Sequence, residues 1–339
     1  MMTSAVNRRP GYAMLIVLIG IIGTAFVSLN LGASRLNPLE VIQTLVGLGT
    51  AKSNLVLFEF RLPRIVLAIL IGAGLAVAGA ILQAVSENDL AEPGIIGINA
   101  GAGFGVVLYL LVANGSATGT LSMLQAFTMP FAAIVGALLA ATCTYVLASR
   151  GGLSPIRLIL IGVAVNAAFN ALLIFIQMRL DDYGITAATV WLSGSIWVSN
   201  WTFVWTTLPW LLVLIPLAVY QAKKLDVMRL GELTAVGLGV ALQRERKLFL
   251  GIAVILTGVC VAVGGGIAFV GLIGPHLARR FVGVAHRKLI PMSMLIGALL
   301  VLLADTLGKN LMDAKEIPVG LLIALLGAPY FIYLLMRAR

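Results

Sequence analysis

The sequence predicts an all-α, polytopic membrane protein with about ten transmembrane helices. Of its 339 residues, 60% are hydrophobic and only 11% are charged, against about 45–50% and about 25% in an ordinary soluble domain. The mean hydropathy is +1.07. Because one span needs about 20 apolar residues, this composition provides for about ten spans and excludes a water-soluble protein.

Ten apolar segments, separated by charges and turn residues, give the order of the spans. The first follows Arg8 and Arg9 and is too long for the apolar core of a signal peptide. The segments lie near 12–33, 63–84, 94–113, 122–148, 155–178, 203–221, 248–264, 267–283, 290–308 and 318–336. We therefore expect one membrane domain over residues 1–339, with its longest cytoplasmic loop at about 222–247.

The distribution of charge predicts the orientation of the spans. With both termini in the cytoplasm, sixteen of the 23 Lys and Arg residues and six of the 13 Asp and Glu residues lie on the inner side, so the inner face carries +10 and the outer face zero. Cytoplasmic loops are normally enriched in Lys and Arg, which favours this orientation. The basic residues are scattered between apolar runs, so no continuous basic face for nucleic acid is expected.

Several classes of function lack the residues that they need. The pair Gly308-Lys309 is followed by Asn310 and lacks the earlier glycine of an ATP-binding loop, so this chain is not expected to hydrolyse ATP. An intramembrane hydrolase would need a nucleophile beside a base, and no such pair is evident. The span centres lack the acids and bases of proton-coupled transporters, although a stand-alone secondary transporter stays open as an alternative.

The fifth span carries a set of uncharged polar residues on one helical face. Asn166, Asn170 and Gln177 are spaced by four and seven residues. They either line a polar translocation path or form hydrogen bonds between helices, and both interpretations stay open. His276 has no carboxylate or cysteine in company, so we expect neither a metal site nor a cofactor.

Two blocks of sequence contain motifs that can be compared with known families. They hold Arg61-Leu-Pro-Arg64, Glu87-Asn-Asp-Leu-Ala-Glu-Pro-Gly94, Gly97-Ile-Asn-Ala-Gly-Ala102, Gly266-Ile-Ala-Phe-Val-Gly-Leu-Ile-Gly-Pro-His276 and Glu316-Ile-Pro-Val-Gly320. In this order they resemble the permease family of ATP-binding-cassette importers for iron-siderophores, haem and cobalamin. The resemblance covers about residues 38–339.

The resemblance implies a fold, a location and a set of partners. The fold would be an inverted repeat of helices in the cytoplasmic membrane of a bacterium. The partners would be the lipid bilayer, a second permease subunit, two cytoplasmic ATPase subunits and an extracytoplasmic substrate-binding protein. Ferric siderophore is the expected cargo, with haem or cobalamin as the alternatives.

Three cations are implied to dock the binding protein at the outer surface. Arg61 and Arg64 bracket Pro63, which suits the first turn of a helix, and the resemblance makes them partners of acidic residues on the binding protein. Lys309 aligns with a third cation that is usually arginine. An arginine fork can bind a carboxylate through two hydrogen bonds. The alternative is that these side chains extend to lipid headgroups.

The resemblance also implies a cytoplasmic gate. Asn88 and Leu90 in the loop between spans two and three would narrow the path, together with Ser154 in the turn from Gly152 to Pro155. The family usually has proline at the position of Asp89. A purely structural alternative is that Asn88 and Asp89 cap the third span.

The loop at 222–247 is implied to couple the permease to the ATPase. It is predicted to form two short helices around Gly231, with apolar residues that indicate a buried interface. The residues that match the coupling motif of the family are Gly231, Glu232, Ala235, Leu238 and Gly239.

Overall fold

The structure, a computed structural model, describes residues 10–32, 37–113, 123–149, 154–196, 199–312 and 316–337. Over these residues the chain forms helices and no β-strand. The α-helices, α1 to α15 in chain order, are Pro10–Asn30, Pro38–Leu45, Ala51–Asn54, Leu62–Val85, Ile98–Ala113, Met123–Ser149, Pro155–Gln177, Asp182–Leu192, Trp201–Tyr220, Ala222–Met228, Glu232–Gly237, Leu242–Gly264, Val270–Val282, His286–Asn310 and Val319–Arg337. A π-helical turn, Leu55–Arg61, leads directly into α4, and a 3₁₀ turn, Pro93–Ile96, precedes α5.

The predicted all-α membrane fold is confirmed, and each of the ten predicted spans contains one helix. Seven helical segments in the described residues are long and apolar enough to cross a membrane, and α5 and residues Val319–Leu334 of α15 form shorter apolar segments. The helix in the eighth predicted span, α13, has only 13 residues, which is about 20 Å at 1.5 Å per residue. It is short because the segment from Gly265 to Phe269 interrupts the helix, with φ of 71° at Gly265 and 65° at Phe269.

Three short helices lie outside both the predicted spans and the predicted coupling loop at 222–247. Helices α2 and α3 precede the π-helical turn, and α8 follows α7. Helix α8 begins where the Asp181 carboxylate accepts a hydrogen bond of 2.9 Å from the Gly184 backbone N–H, which is an ordinary N-cap. The hydropathy pattern did not separate them from loops, because none is long enough to span a bilayer.

Helix α4 is the central element of the fold. Every residue from Ile71 to Val85 is buried, and the helix packs against α12, α13 and α14. A Cβ added at Gly72 would collide with the carbonyl oxygen of Gly297 in α14, and one added at Gly79 would collide with the backbone of Gly271 in α13. Small residues let helix backbones approach closely where lipid provides no hydrophobic drive. The glycines of α4 therefore set its distance from its neighbours.

We expect Gly72→Ala to destabilise the protein because the new methyl group forces α4 away from α14. Overpacking of this kind costs about 1–3 kcal/mol. The matched control is Gly251→Ala in α12, where an added Cβ meets no atom within 4 Å and the better helix propensity of alanine favours folding. Thermal unfolding of the purified protein in detergent checks this. An equal midpoint for Gly72→Ala and the unchanged protein would contradict the proposed packing constraint.

Candidate functional site: two charged clusters and a polar cavity

Two of the three predicted docking cations meet in one ion-pair cluster, which we call the Arg64 cluster. It consists of Arg64, Asp305, Lys309 and Glu316. Arg64 Nε lies 2.9 Å from Asp305 Oδ1, and its terminal nitrogen lies 2.8 Å from Glu316 Oε2. Lys309 Nζ lies 2.8 Å from Asp305 Oδ2. The side chains of Arg64 and Lys309 are only 13% and 10% exposed, so their charges are compensated within the chain.

Arg61 is at the same end of α4 but contacts a different element. It is buried, and its guanidinium donates a hydrogen bond to the carbonyl oxygen of Leu29 in the last turn of α1. A cation is favourable at a helix C-terminus because it opposes the helix dipole. Arg61 therefore joins α1 to the start of α4.

The acidic partners of the docking cations were not assigned a role from the sequence. Asp305 precedes Lys309 by four residues on α14, a spacing at which opposite charges on a helix meet. This ion pair could therefore have been predicted from the sequence. Glu316 pairs with Arg64 across 252 residues of sequence, and no local pattern indicates that contact.

The predicted gate residues Asn88 and Leu90 lie in a tight turn after α4. The Asn88 side-chain oxygen accepts a hydrogen bond of 2.9 Å from the Leu90 backbone N–H, which is a typical Asx turn. The turn starts at Glu87, whose φ is 50°, a left-handed conformation that is uncommon outside glycine. Neither Asn88 nor Asp89 caps α5, because that helix begins only at Ile98.

The third predicted gate residue, Ser154, begins α7. Its hydroxyl accepts a hydrogen bond from the Arg157 backbone N–H, so Ser154 is the N-cap. It lines a small cleft together with Val85 at the end of α4 and with Arg246. The structure thus brings Ser154 close to the end of α4. Gly152, in the same predicted turn, lies outside the described residues.

Ion pairs that the sequence did not reveal connect the gate turn to the predicted coupling loop. Arg246 near the start of α12 binds Glu87 at 2.9 Å and Glu232 at 2.6 Å, and we call these three residues the Arg246 cluster. Asp89 lies 3.0 Å from Arg229 and 3.3 Å from Arg279. The anion at Asp89 is therefore compensated by two arginines, one that follows α10 and one in α13.

The loop that contains the predicted coupling residues forms two short helices, as expected, and the two helices have different environments. In α10, Leu225 and Met228 are buried. Around α11, Ala235 is buried, whereas Leu233 is 92% exposed. Four apolar side chains are exposed here and form what we call the α11 face: Leu230, Leu233, Val236 and Leu238. An exposed cluster of this kind in a charged loop is typical of a binding surface.

Glycines bound the exposed α11 segment. Gly231 and Gly239 have φ of 95° and 80°, and a Cβ at either would meet no atom within 4 Å. Both positions favour glycine because other residues rarely adopt this backbone conformation. The sequence motif at Gly231 and Gly239 thus fixes where the short helix begins and ends.

Helix α10 is anchored to α14 by Asp226 and His286. The Asp226 carboxylate accepts a hydrogen bond of 2.9 Å from the His286 backbone N–H and lies 2.6 Å from His286 Nδ1. Burial by itself would raise the pKa of the Asp226 carboxyl, but the contacts with His286 and the nearby Arg229 hold this pKa below its usual value. The carboxylate therefore stays ionised at neutral pH and holds α10 in place.

A polar cavity of about 350 Å³ contains two of the three predicted path residues. Asn166 and Asn170 line it, and they share a hydrogen bond of 3.3 Å along α7. Gln177 is not among the lining residues. The sequence did not assign Glu92 and Asn99 to this cavity, although the structure places both in its wall. Asn99 could have been predicted from the sequence, because it is a polar residue within the third apolar segment.

Glu92 also fixes the interrupted segment before α13. Its Oε2 accepts a hydrogen bond of 3.0 Å from the backbone N–H of Phe269. Phe269 immediately precedes α13, so the carboxylate satisfies a donor that the start of the helix leaves without an intrahelical partner. His276 on α13 packs edge-on against the ring of Tyr330. Among the described residues, no three His, Cys, Asp or Glu side chains form a group that could hold a metal ion.

Comparison with known proteins gives relatives that match almost the whole chain. The FhuG permease protein of the iron(3+)-hydroxamate import system of Bacillus subtilis is 53% identical, and the match covers 98% of this chain and 99% of that protein. The FecD permease protein of the Fe(3+) dicitrate transport system of Escherichia coli is 35% identical, over 96% of this chain and 98% of that protein.

A solved structure has the same fold. An inward-facing conformation of a metal-chelate type ABC transporter superposes with a TM-score of 0.82 and 31% sequence identity, over 97% of this chain and 99% of that chain. The model of the FecCD transport family matches residues 17–337. These matches confirm the resemblance that the sequence motifs indicate: the chain belongs to the FecCD transport family and is a membrane permease of the ABC-importer type.

Proposed function

We propose that this chain is the permease subunit of an ATP-driven importer that carries a ferric siderophore of the hydroxamate class into a bacterial cell. It forms one membrane domain in the cytoplasmic membrane, with both termini in the cytoplasm. The support for this cargo is the full-length similarity to a permease of an iron(3+)-hydroxamate system. The lining of the polar cavity includes three amides and one carboxylate among apolar residues, and these polar groups can accept hydrogen bonds from a polar chelate.

The α11 face supports dependence on a separate ATPase, and it is the observation that carries this part of the proposal. Leu233 is 92% exposed, in a loop too charged to lie within the bilayer. Covering the α11 face removes apolar area from water, at about 25 cal/mol per Å². The ATPase would contact Gly231, Glu232, Leu238 and Gly239, whereas the predicted coupling residue Ala235 is buried beneath them and would support this surface. Two ATPase subunits would serve two permeases.

The exposed face of α7 supports a second permease subunit. Asn166 and Asn170 are on this helix, and Asn170 is exposed in the isolated chain. Amide side chains facing lipid are costly and uncommon within the bilayer. A second permease, identical or paralogous, would cover this face and close the cavity into a translocation path that Asn166 and Asn170 line.

The Arg64 cluster supports docking of a binding protein by exchange of ion-pair partners. The Glu316 side chain is 50% exposed and its pair with Arg64 is accessible. A carboxylate on the binding protein could displace Glu316 from Arg64, with Lys309 and Arg61 providing further positive charge beside it. At the other end of α4, Asn88, Leu90 and Ser154 would form the gate that opens inward.

We expect this chain to restore uptake of a radiolabelled ferric hydroxamate to bacteria that lack it. Uptake should stop when the Walker A lysine of the partner ATPase is replaced, since ATP provides the driving force. Haem and cobalamin, offered to the same cells, should not accumulate. Uptake of haem or cobalamin alone would contradict the cargo, and uptake that survives loss of the ATPase would favour a stand-alone secondary transporter.

For docking, we expect Arg64→Gln to weaken binding of the loaded binding protein to the permease by about tenfold or more, as loss of a charged hydrogen bond predicts. Binding is measured with the ATPase-bound permease in nanodiscs, at low and at high salt. Arg179→Gln is the matched control because Arg179 is another arginine on the predicted outer side, positioned over the Phe175 ring. Equal affinity for Arg64→Gln and the unchanged protein would contradict docking at Arg64.

For coupling, we expect Leu233→Asp to reduce co-purification of the ATPase by about tenfold or more, because an unpaired carboxylate would be buried in the interface at a cost of several kcal/mol. Val284→Asp is the control, since Val284 is 65% exposed in the loop between α13 and α14. Both variants should be present in the membrane in normal amount. If Leu233→Asp retains the ATPase, the α11 face is not the interface.

A further inference from the structure

Arg246 connects three elements that the proposed function treats separately. Its two terminal nitrogens bind Glu232 at 2.6 Å and Glu87 at 2.9 Å. Glu232 begins α11, and Glu87 immediately precedes the gate residue Asn88. The side chain of Arg246 also lines the cleft beside Ser154 and Val85. One side chain thus contacts the coupling helix and adjoins both gate turns.

The two carboxylates that bind Arg246 lie outside its own helix. Arg246 lies in the second turn of α12, and its side chain is only 3% exposed. A buried cation needs anionic partners. Glu87 and Glu232 meet this need from outside α12, and both are partly exposed, at 39% and 58%.

The geometry favours arginine over lysine. A guanidinium presents its nitrogens as a rigid fork, whereas an ammonium is a single point of charge. Because separate nitrogens bind Glu232 and Glu87, a shift of either carboxylate requires the fork to follow or an ion pair to break. Leaving the buried guanidinium of Arg246 without a carboxylate partner is unfavourable, which favours movement of the fork together with either carboxylate.

A second connection runs parallel to the first. Asp89 pairs with Arg229, which follows α10 and lies two residues before Gly231, and with Arg279 of α13. Arg279 in turn donates a hydrogen bond of 2.6 Å to the side chain of Gln83 in α4. The gate turn is therefore held from both sides of its Asx residue, at Glu87 and at Asp89.

We propose that Arg246 is the positioning residue that transmits movement of the coupling helix α11 to the cytoplasmic gate, through its bridge from Glu232 to Glu87. This inference rests on the proposed function, since it assumes that the ATPase moves α11 and that the turn at Asn88 is the gate. When Glu232 moves, the guanidinium of Arg246 moves with it. Glu87 then moves with the guanidinium, and the turn at Asn88 follows. Ser154, beside the same fork, responds to the same displacement.

The test measures ferric hydroxamate transported per ATP hydrolysed, with the complete complex of permease, ATPase and binding protein in proteoliposomes. We expect Arg246→Met to lower this ratio about tenfold, within the range of known coupling energies, while ATP hydrolysis stays near that of the unchanged complex. Arg246→Lys should also lower it because lysine cannot hold both carboxylates. Arg287→Met, the same change at an exposed arginine of α14, should leave the ratio unchanged.

Two carboxylate variants keep the test independent of the stability of Arg246→Met. Glu87→Gln and Glu232→Gln each remove one of the two ion pairs of Arg246. The ratio of transport to ATP hydrolysis in the double variant should be no lower than in the more impaired single variant, because loss of either ion pair already interrupts the connection. Independent losses that multiply would indicate separate structural roles and overturn the inference. So would an unchanged ratio in Arg246→Met or an equal loss in Arg287→Met.

The outcome for the unchanged complex separates this inference from the proposed function. If it accumulates no ferric hydroxamate, the proposed cargo is wrong and the inference falls with it. If it transports normally and the Arg246 and Glu87 variants keep the same ratio of transport to hydrolysis, the inference alone is wrong.

Discussion

The close approach of α4 to α13 and α14 is the constraint on which the rest of the structure depends. At Gly72 and Gly79 the backbones leave no room for a Cβ, so these glycines set how closely α4 packs against its neighbours. The helix has 24 residues and is about 36 Å long. The Arg64 cluster is at one end of α4 and the turn at Asn88 is at the other.

Charge is placed at the two ends of α4 and is largely compensated there. Arg64 and Lys309 share Asp305, and Arg246 holds two carboxylates. Ion pairs of this kind add little net stability when both partners are present but resist the removal of either partner. They suit a transporter because each set of ion pairs defines a separate conformation of the chain. Exchange of one ion-pair partner is then enough to change the conformation.

The sequence predicted the fold well and the contacts of the site less well. Hydropathy located a helix in every predicted span because lipid requires each backbone polar group to be satisfied within the segment. The short length of α13 was missed, since the residues from Gly265 to Phe269 are as apolar as a span. Arg246 was counted only as a topological charge, because its partners, Glu87 and Glu232, are joined to it by tertiary structure rather than by a local pattern.

The hydrogen bond from Phe269 to Glu92 determines which parts of the molecule can move separately. The carboxylate of Glu92 accepts a hydrogen bond from Phe269, the residue before α13. Gln83 of α4 donates a hydrogen bond to the carbonyl oxygen of Gly271 within α13. The segment from α4 through the 3₁₀ turn is therefore connected to α13 at two points. These two hydrogen bonds couple the turn after α4 to the start of α13. Movement of the turn at Asn88 would therefore displace the segment at Phe269 as well, or break its hydrogen bond to Glu92.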